Sequence, residues 1–154
     1  GAVGVGAAVV QAGLMGLILK RLGTVRTIVL GYGVNVIAMT AFAFAANPVL
    51  VYFIIPFAAL GGVTMPAANG LMSSLTPPDA QGELQGAASS LNALGMIIGP
   101  LIMSGTLFTF SRQDAPVPFA GAAFLLAALL TALAFLPFLR GVAANRSALP
   151  TAVP

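Results

Sequence analysis

Long uncharged stretches constrain this chain more than any other feature. Nine side chains in 154 residues carry charge: Lys20, Arg21, Arg26, Asp79, Glu83, Arg112, Asp114, Arg140 and Arg146. Residues 1–19, 27–78, 84–111 and 115–139 carry none. A helix that crosses a bilayer needs roughly 20 apolar residues. The run 27–78 has 52 residues, room for two such helices, and Asn47-Pro48 within it supplies a helix-breaking turn. The pattern predicts an all-α transmembrane chain with five spanning helices, at about 1–19, 27–45, 49–75, 84–110 and 116–139. A disordered tail is expected over 141–154.

Composition excludes most other readings. The chain is 59% hydrophobic and 6% charged, with mean hydropathy +1.05, whereas soluble domains are about 25% charged. Nine charges cannot coat a soluble domain of this length, but a bilayer solvates apolar side chains directly. There is no cysteine and no histidine. Disulfides, thiolate chemistry and a histidine-based metal site are therefore excluded, and no cofactor is implied. The six basic residues are scattered over loops and form no stripe that would suit nucleic acid. No Asp or Glu lies within a span, and no phosphate-binding loop or Ser/His/Asp set is present. That argues against an intramembrane enzyme.

Basic residues collect on the cytoplasmic side of membrane proteins. Lys20, Arg21, Arg26, Arg140 and Arg146 fall on one side of a five-span chain and Arg112 alone on the other. The C-terminus is thus expected in the cytoplasm and Gly1 outside. Residue 1 is Gly, no basic n-region precedes the first span, and the ends lie on opposite sides. The chain is therefore expected to be a fragment whose missing part lies before Gly1.

A few polar groups lie at depth. Gln11 is the strongly polar residue of a first span rich in Gly6, Gly13 and Gly16, which allow close helix approach. Asn35 lies roughly 13 Å beyond Arg26 along a helix. Each amide is either a packing hydrogen bond or a cavity-lining contact for a substrate. The third span contains Pro56 and Pro66 with Gly61, Gly62 and Gly70; each proline removes one backbone bond and permits a kink. Thr76 reads as the N-cap of the next helix, with Pro77 at its first position. In that fourth span Gly95 and Gly99 form a GxxxG packing pair, while Ser89 and Asn92 share a face that suits a polar pathway. The alternative is a packing helix with incidental polar groups. The fifth span has Thr131 as its polar residue and suits lipid contact, with Arg140 able to snorkel to headgroups.

Several segments together resemble the tetracycline/proton antiporters of the major facilitator superfamily. They are "QAGLMG" with Arg21-Leu22-Gly23, "LGYGVN", "GGVTMPAANGLMS", and Gln81-Gly82-x-Leu84-Gln85-Gly86 followed by Gly99-Pro100-Leu101. The resemblance runs from about Gln11 to Leu101, with weaker support to Arg140. It implies that the five spans are helices eight to twelve of a twelve-helix transporter, the larger part of its C-terminal six-helix half. Two such halves rock around a central site, and family members export drugs in exchange for protons. By the same resemblance Gln11 is a substrate contact in the central cavity. Gly16, Arg21, Gly23 and Arg26 form a degenerate copy of the cytoplasmic gating motif. Gly95-x-x-x-Gly99-Pro100 matches a glycine–proline pattern of antiporter helices. Asn35 falls where these exporters commonly carry an aspartate tied to proton coupling; an amide cannot titrate.

The expected function is proton-driven efflux of a small molecule across a bacterial inner membrane. Its partners are the substrate, protons, lipid and the missing N-terminal half, with no nucleic acid. The alternatives are a small oligomeric five-span protein without transport activity, or metabolite uptake by the same fold. A reporter fused after Arg140 is expected to be cytoplasmic and one fused near Asp114 periplasmic. The reverse pattern would overturn the orientation.

Overall fold

The computed structural model describes residues 21–45, 47–112 and 118–144. In order, the elements are α1 (Thr24–Ala43), α2 (Pro48–Gly61), α3 (Thr64–Leu75), a 3-10 turn (Pro78–Ala80), α4 (Gln81–Ser111) and α5 (Ala122–Ala144). Among the described residues there is no strand. Four segments are long and apolar enough to cross a membrane: Thr24–Ala43, Pro48–Leu75, Pro78–Ser111 and Ala122–Ala144. The expected span at 1–19 lies outside the described residues.

Local chemistry sets the helix ends. Gly23 precedes α1 with φ 76° and ψ 162°, a region open essentially to glycine. Its carbonyl accepts both the backbone N–H of Thr27 at 3.1 Å and the Thr27 hydroxyl at 2.8 Å. Thr27 is fully buried as a result of this turn and its packing. At α2, Asn47 Oδ1 accepts from the Val49 N–H at 2.9 Å, and Pro48 occupies the first helical position.

Four expectations need correction. First, the span 49–75 is built from two helices rather than one, interrupted at Gly62 and Val63. Second, Thr76 caps the end of α3, not the start of the next helix. Its hydroxyl donates back to the Met72 carbonyl at 2.8 Å, and its backbone is extended, as the residue before a proline prefers. Pro77 is extended too, so the chain re-enters helix at Pro78 and α4 begins at Gln81. Third, α5 begins at Ala122 instead of 116, after a turn in which the Ala122 N–H donates to the Phe119 carbonyl at 3.0 Å. Fourth, residues 141–144 are helical. Gly141 weakens a helix by about 1 kcal/mol but does not end one flanked by helix formers.

Helix α1 is the hub: it packs against α5, α2 and α3. Toward its start Ile28 forms a core with Ala67 and Leu71, bordered by Val25, Tyr32 and Phe138. Tyr32 stacks on Phe135 at 5.3 Å between ring centroids and meets Phe138 at 6.1 Å, so these rings of α5 turn inward rather than to lipid. Toward the end of α1, Gly121 presses on its backbone. A Cβ at Gly121 would lie 2.6 Å from the Ala43 carbonyl carbon. Helix α4 touches α5 and, at its first turn, α3, yet none of its residues is buried. Large apolar side chains such as Leu91, Met96 and Leu101 are about 70% exposed, which a hydrocarbon surround tolerates and water would not.

Gly121→Ala is expected to destabilise the protein by about 2 kcal/mol, because the backbone it meets cannot turn aside as a side chain could. Gly105→Ala, with nothing within 4 Å of the new Cβ, is expected to be neutral. Thermal unfolding of the full-length protein in nanodiscs separates the two.

Candidate functional site

Two polar residues at membrane depth, Asn35 and Thr64, lie at the junction between α1 and the broken segment α2–α3. Pro66 has no N–H to give the Gly62 carbonyl, and its ring crowds that carbonyl. The chain answers with short-range bonds: Gly62 N–H to Ala59 O at 3.1 Å and Val63 N–H to Leu60 O at 3.4 Å. Both residues stay near helical dihedrals, with φ/ψ of −63°/−14° and −70°/−17°. The result is one tight 3-10-like turn, placed midway along the 28-residue Pro48–Leu75 span. The Thr64 hydroxyl donates to the Gly61 carbonyl at 2.8 Å across it.

This turn rests on Gly31 and Asn35, one helical turn apart on α1. A Cβ at Gly31 would collide with Thr64 Oγ1 and lie 3.3 Å from Thr64 Cβ. A Cβ at Gly61 would lie 3.2 Å from both Cβ and Nδ2 of Asn35. Asn35 is half-buried and sits about 16 Å along α1 from its start. Its carboxamide makes no hydrogen bond among the described residues. Its amide is partly exposed about midway along α1.

The other candidate residues are distributed more widely. Ser89 and Asn92 are exposed on α4, as are Gly82, Gln85, Gly86 and Gly95. A Cβ at Gly95 or Gly99 would meet nothing within 4 Å, so their packing face finds no partner among the described residues. Helix α4 runs through Pro100 without a break. Gln81 is committed to structure: its Nε2 donates to the Ser73 and Thr76 carbonyls, both at 2.8 Å. Arg21 and Arg26 are exposed around the Gly23 turn. Gln11 and Gly16 lie outside the described residues.

A crevice of about 620 Å³ opens elsewhere, between α1, α4 and α5, lined by Val36, Thr40, Thr106, Phe110, Leu125 and Leu129 among others. Its two hydroxyls are spent on the Val36 and Ile102 carbonyls, so the lining offers hydrocarbon and no free donor. Asn35 does not line it. Among the described residues no three His, Cys, Asp or Glu side chains group as metal ligands. The residues not anticipated from sequence are Gly31 and Thr64. Gly31 had a signal, since a small residue four before a membrane-embedded amide marks one helix face. Thr64 had none.

A family model for the Major Facilitator Superfamily matches residues 1–152. The chain belongs to that superfamily. With its long apolar helices, it is a multi-pass membrane protein. Among superfamily relatives, the class C tetracycline resistance protein of Escherichia coli is 34% identical over 97 residues, 63% of this chain and 24% of that protein. The class G tetracycline resistance protein of Vibrio anguillarum is 37% identical over 94 residues, 61% of this chain and 24% of that protein. The hippocampus abundant transcript 1 protein of Mus musculus is 25% identical over 113 residues, 73% of this chain and 23% of that protein. This chain therefore spans about a quarter of the length of the curated relatives it matches. No solved structure matches it.

Proposed function

We propose that this chain forms helices eight to twelve of a twelve-helix transporter that exports a drug or other small molecule in exchange for protons. The observation that carries this reading is the 34–37% identity to tetracycline resistance proteins of classes C and G over more than 60% of the chain. The broken span supports it, since interrupted helices at the bilayer midplane recur at transporter binding sites. Asn35, Ser89 and Asn92, with Gln11, are the proposed substrate contacts. The open Gly95–Gly99 face of α4, with Gly82 and Gly86, is proposed to pack on the rest of the transporter, and Pro100 to shape that helix. Gly16, Arg21, Gly23 and Arg26 are assigned to the cytoplasmic gate, beside Gln81 and Gln85 at the next cytoplasmic turn. The proposed location is a bacterial inner membrane with the C-terminus in the cytoplasm.

On the export reading, Asn35 offers two donors and an acceptor to the substrate but holds no coupling proton. Asn35→Ala in the full-length protein is expected to weaken or narrow drug export while leaving its pH dependence unchanged. Vesicle transport with an imposed pH gradient, repeated at several external pH values, reads both quantities. Export that is unaffected for every substrate assigns Asn35 to packing alone. Export that no longer follows the proton gradient overturns the separation of coupling from this residue.

A further inference from the structure

Among the described residues, most side-chain hydrogen bonds turn back on their own helix. The hydroxyls of Thr40, Ser90, Thr106, Thr109 and Thr131 each donate to the carbonyl four residues earlier. Gln81 instead reaches across to the preceding helix. From the first residue of α4 its Nε2 donates to the carbonyls of Ser73 and Thr76 at 2.8 Å each, and its Oε1 accepts the Ser73 hydroxyl at 3.0 Å. Both amide N–H donors are therefore used. These carbonyls lie in the last turn of α3 and at its C-cap, Thr76, where helical partners run out; Ser73 O also accepts the Thr76 N–H at 3.3 Å. Pro77 and Pro78 hold the intervening turn at fixed φ, and Ala80 N–H closes it on Pro77 O at 3.0 Å.

The two ends of α3 thus differ in kind. Its beginning joins α2 through two glycines and a 3-10-like turn with short-range bonds. Its end joins α4 through two prolines and a three-bond amide clasp. Helix α4 has little else to fix its angle at this end, because none of its residues is buried. We propose that Gln81 is a positioning residue that locks the start of α4 to the end of α3, so that α3, itself seated on α1 through Ala67 and Leu71, sets the angle at which α4 leaves it. This deepens the transport reading and rests on it for its functional consequence, though not for the lock itself.

Substitutions at Gln81 separate hydrogen bonding from volume. Gln81→Glu keeps the size and loses both donors. Gln81→Lys keeps a donor for the same carbonyls and adds a charge that suits a helix C-terminus. Spin labels at Met65→Cys on α3 and Leu91→Cys on α4, both on exposed positions, report the angle between the helices by pulsed EPR in the full-length protein. The expected result is a narrow distance distribution with native Gln81 and with Gln81→Lys, and a broad or shifted one with Gln81→Ala and Gln81→Glu. In vesicles with equal transporter abundance, export of whichever member of a drug panel, tetracycline included, the native protein carries is expected to fall about fivefold in Gln81→Ala and Gln81→Glu and to stay within about twofold in Gln81→Lys. A distribution that remains narrow in Gln81→Glu overturns the lock. Equal broadening in Gln81→Lys and Gln81→Glu overturns its hydrogen-bonded basis. A protein that shows the expected distances yet exports no member of a drug panel with native Gln81 keeps the lock and loses the drug-export reading.

Discussion

Close approach between α1 and the break in the second described span is the contact on which the rest of this structure depends. Helices in lipid gain little from hiding apolar surface from one another, so they associate by packing wherever small residues let backbones meet. Here Gly31 gives up a side chain to make room for Thr64, and Gly61 does the same for Asn35. The register continues in the same antiparallel sense to Ile28 against Ala67 and Leu71. A break in a membrane helix exposes backbone polar groups that lipid cannot serve. The Thr64 hydroxyl on Gly61 O, and the short-range bonds around it, let this one persist.

Helix α4 is held on different terms. Gln81 ties its start to α3, and the Phe110 carbonyl accepts the Phe119 N–H at 2.8 Å near its end. Between those points its serine, asparagine and glycine positions stand open. One chain therefore combines a tightly seated pair, α1 with the broken span, and a long helix fixed mainly at its ends. In that contrast Asn35 sits on the seated side, against Gly61, while the polar positions of α4 sit on the open one.

The spans were legible because charge is excluded from them so thoroughly that Asp79, Glu83 and Arg112 mark the edges of α4 almost to the turn. The position of the break was not, although Gly61, Gly62 and Pro66 were all in view. A proline disturbs the carbonyl four residues before it, so the interruption falls at Gly62 and not at Pro66 itself. Thr76 was misread because a threonine before a proline fits a helix start and a helix end equally well; only the bond to Met72 O decides. The depth of Asn35 could be read from Arg26, but its neighbour Gly61 belongs to another helix and carries no sequence mark of the pairing. The Gly95–Gly99 pattern correctly announces a small-residue face, yet names no partner, and none lies within the described residues. Gln81 stood out within a motif, while its three bonds depend on how Pro77 and Pro78 turn the chain.

The seating of the break on α1 is tested most directly by a double-mutant cycle between Gly31→Ala and Thr64→Ala, read as unfolding free energy of the full-length protein in a defined bilayer. Gly31→Ala alone is predicted to cost about 1–3 kcal/mol, since its methyl meets the Thr64 hydroxyl. With Thr64→Ala already in place the same change is predicted to cost much less, leaving a coupling of at least about 1 kcal/mol. Costs that add within about 0.5 kcal/mol would mean that the two residues do not meet, and would contradict the account at its base.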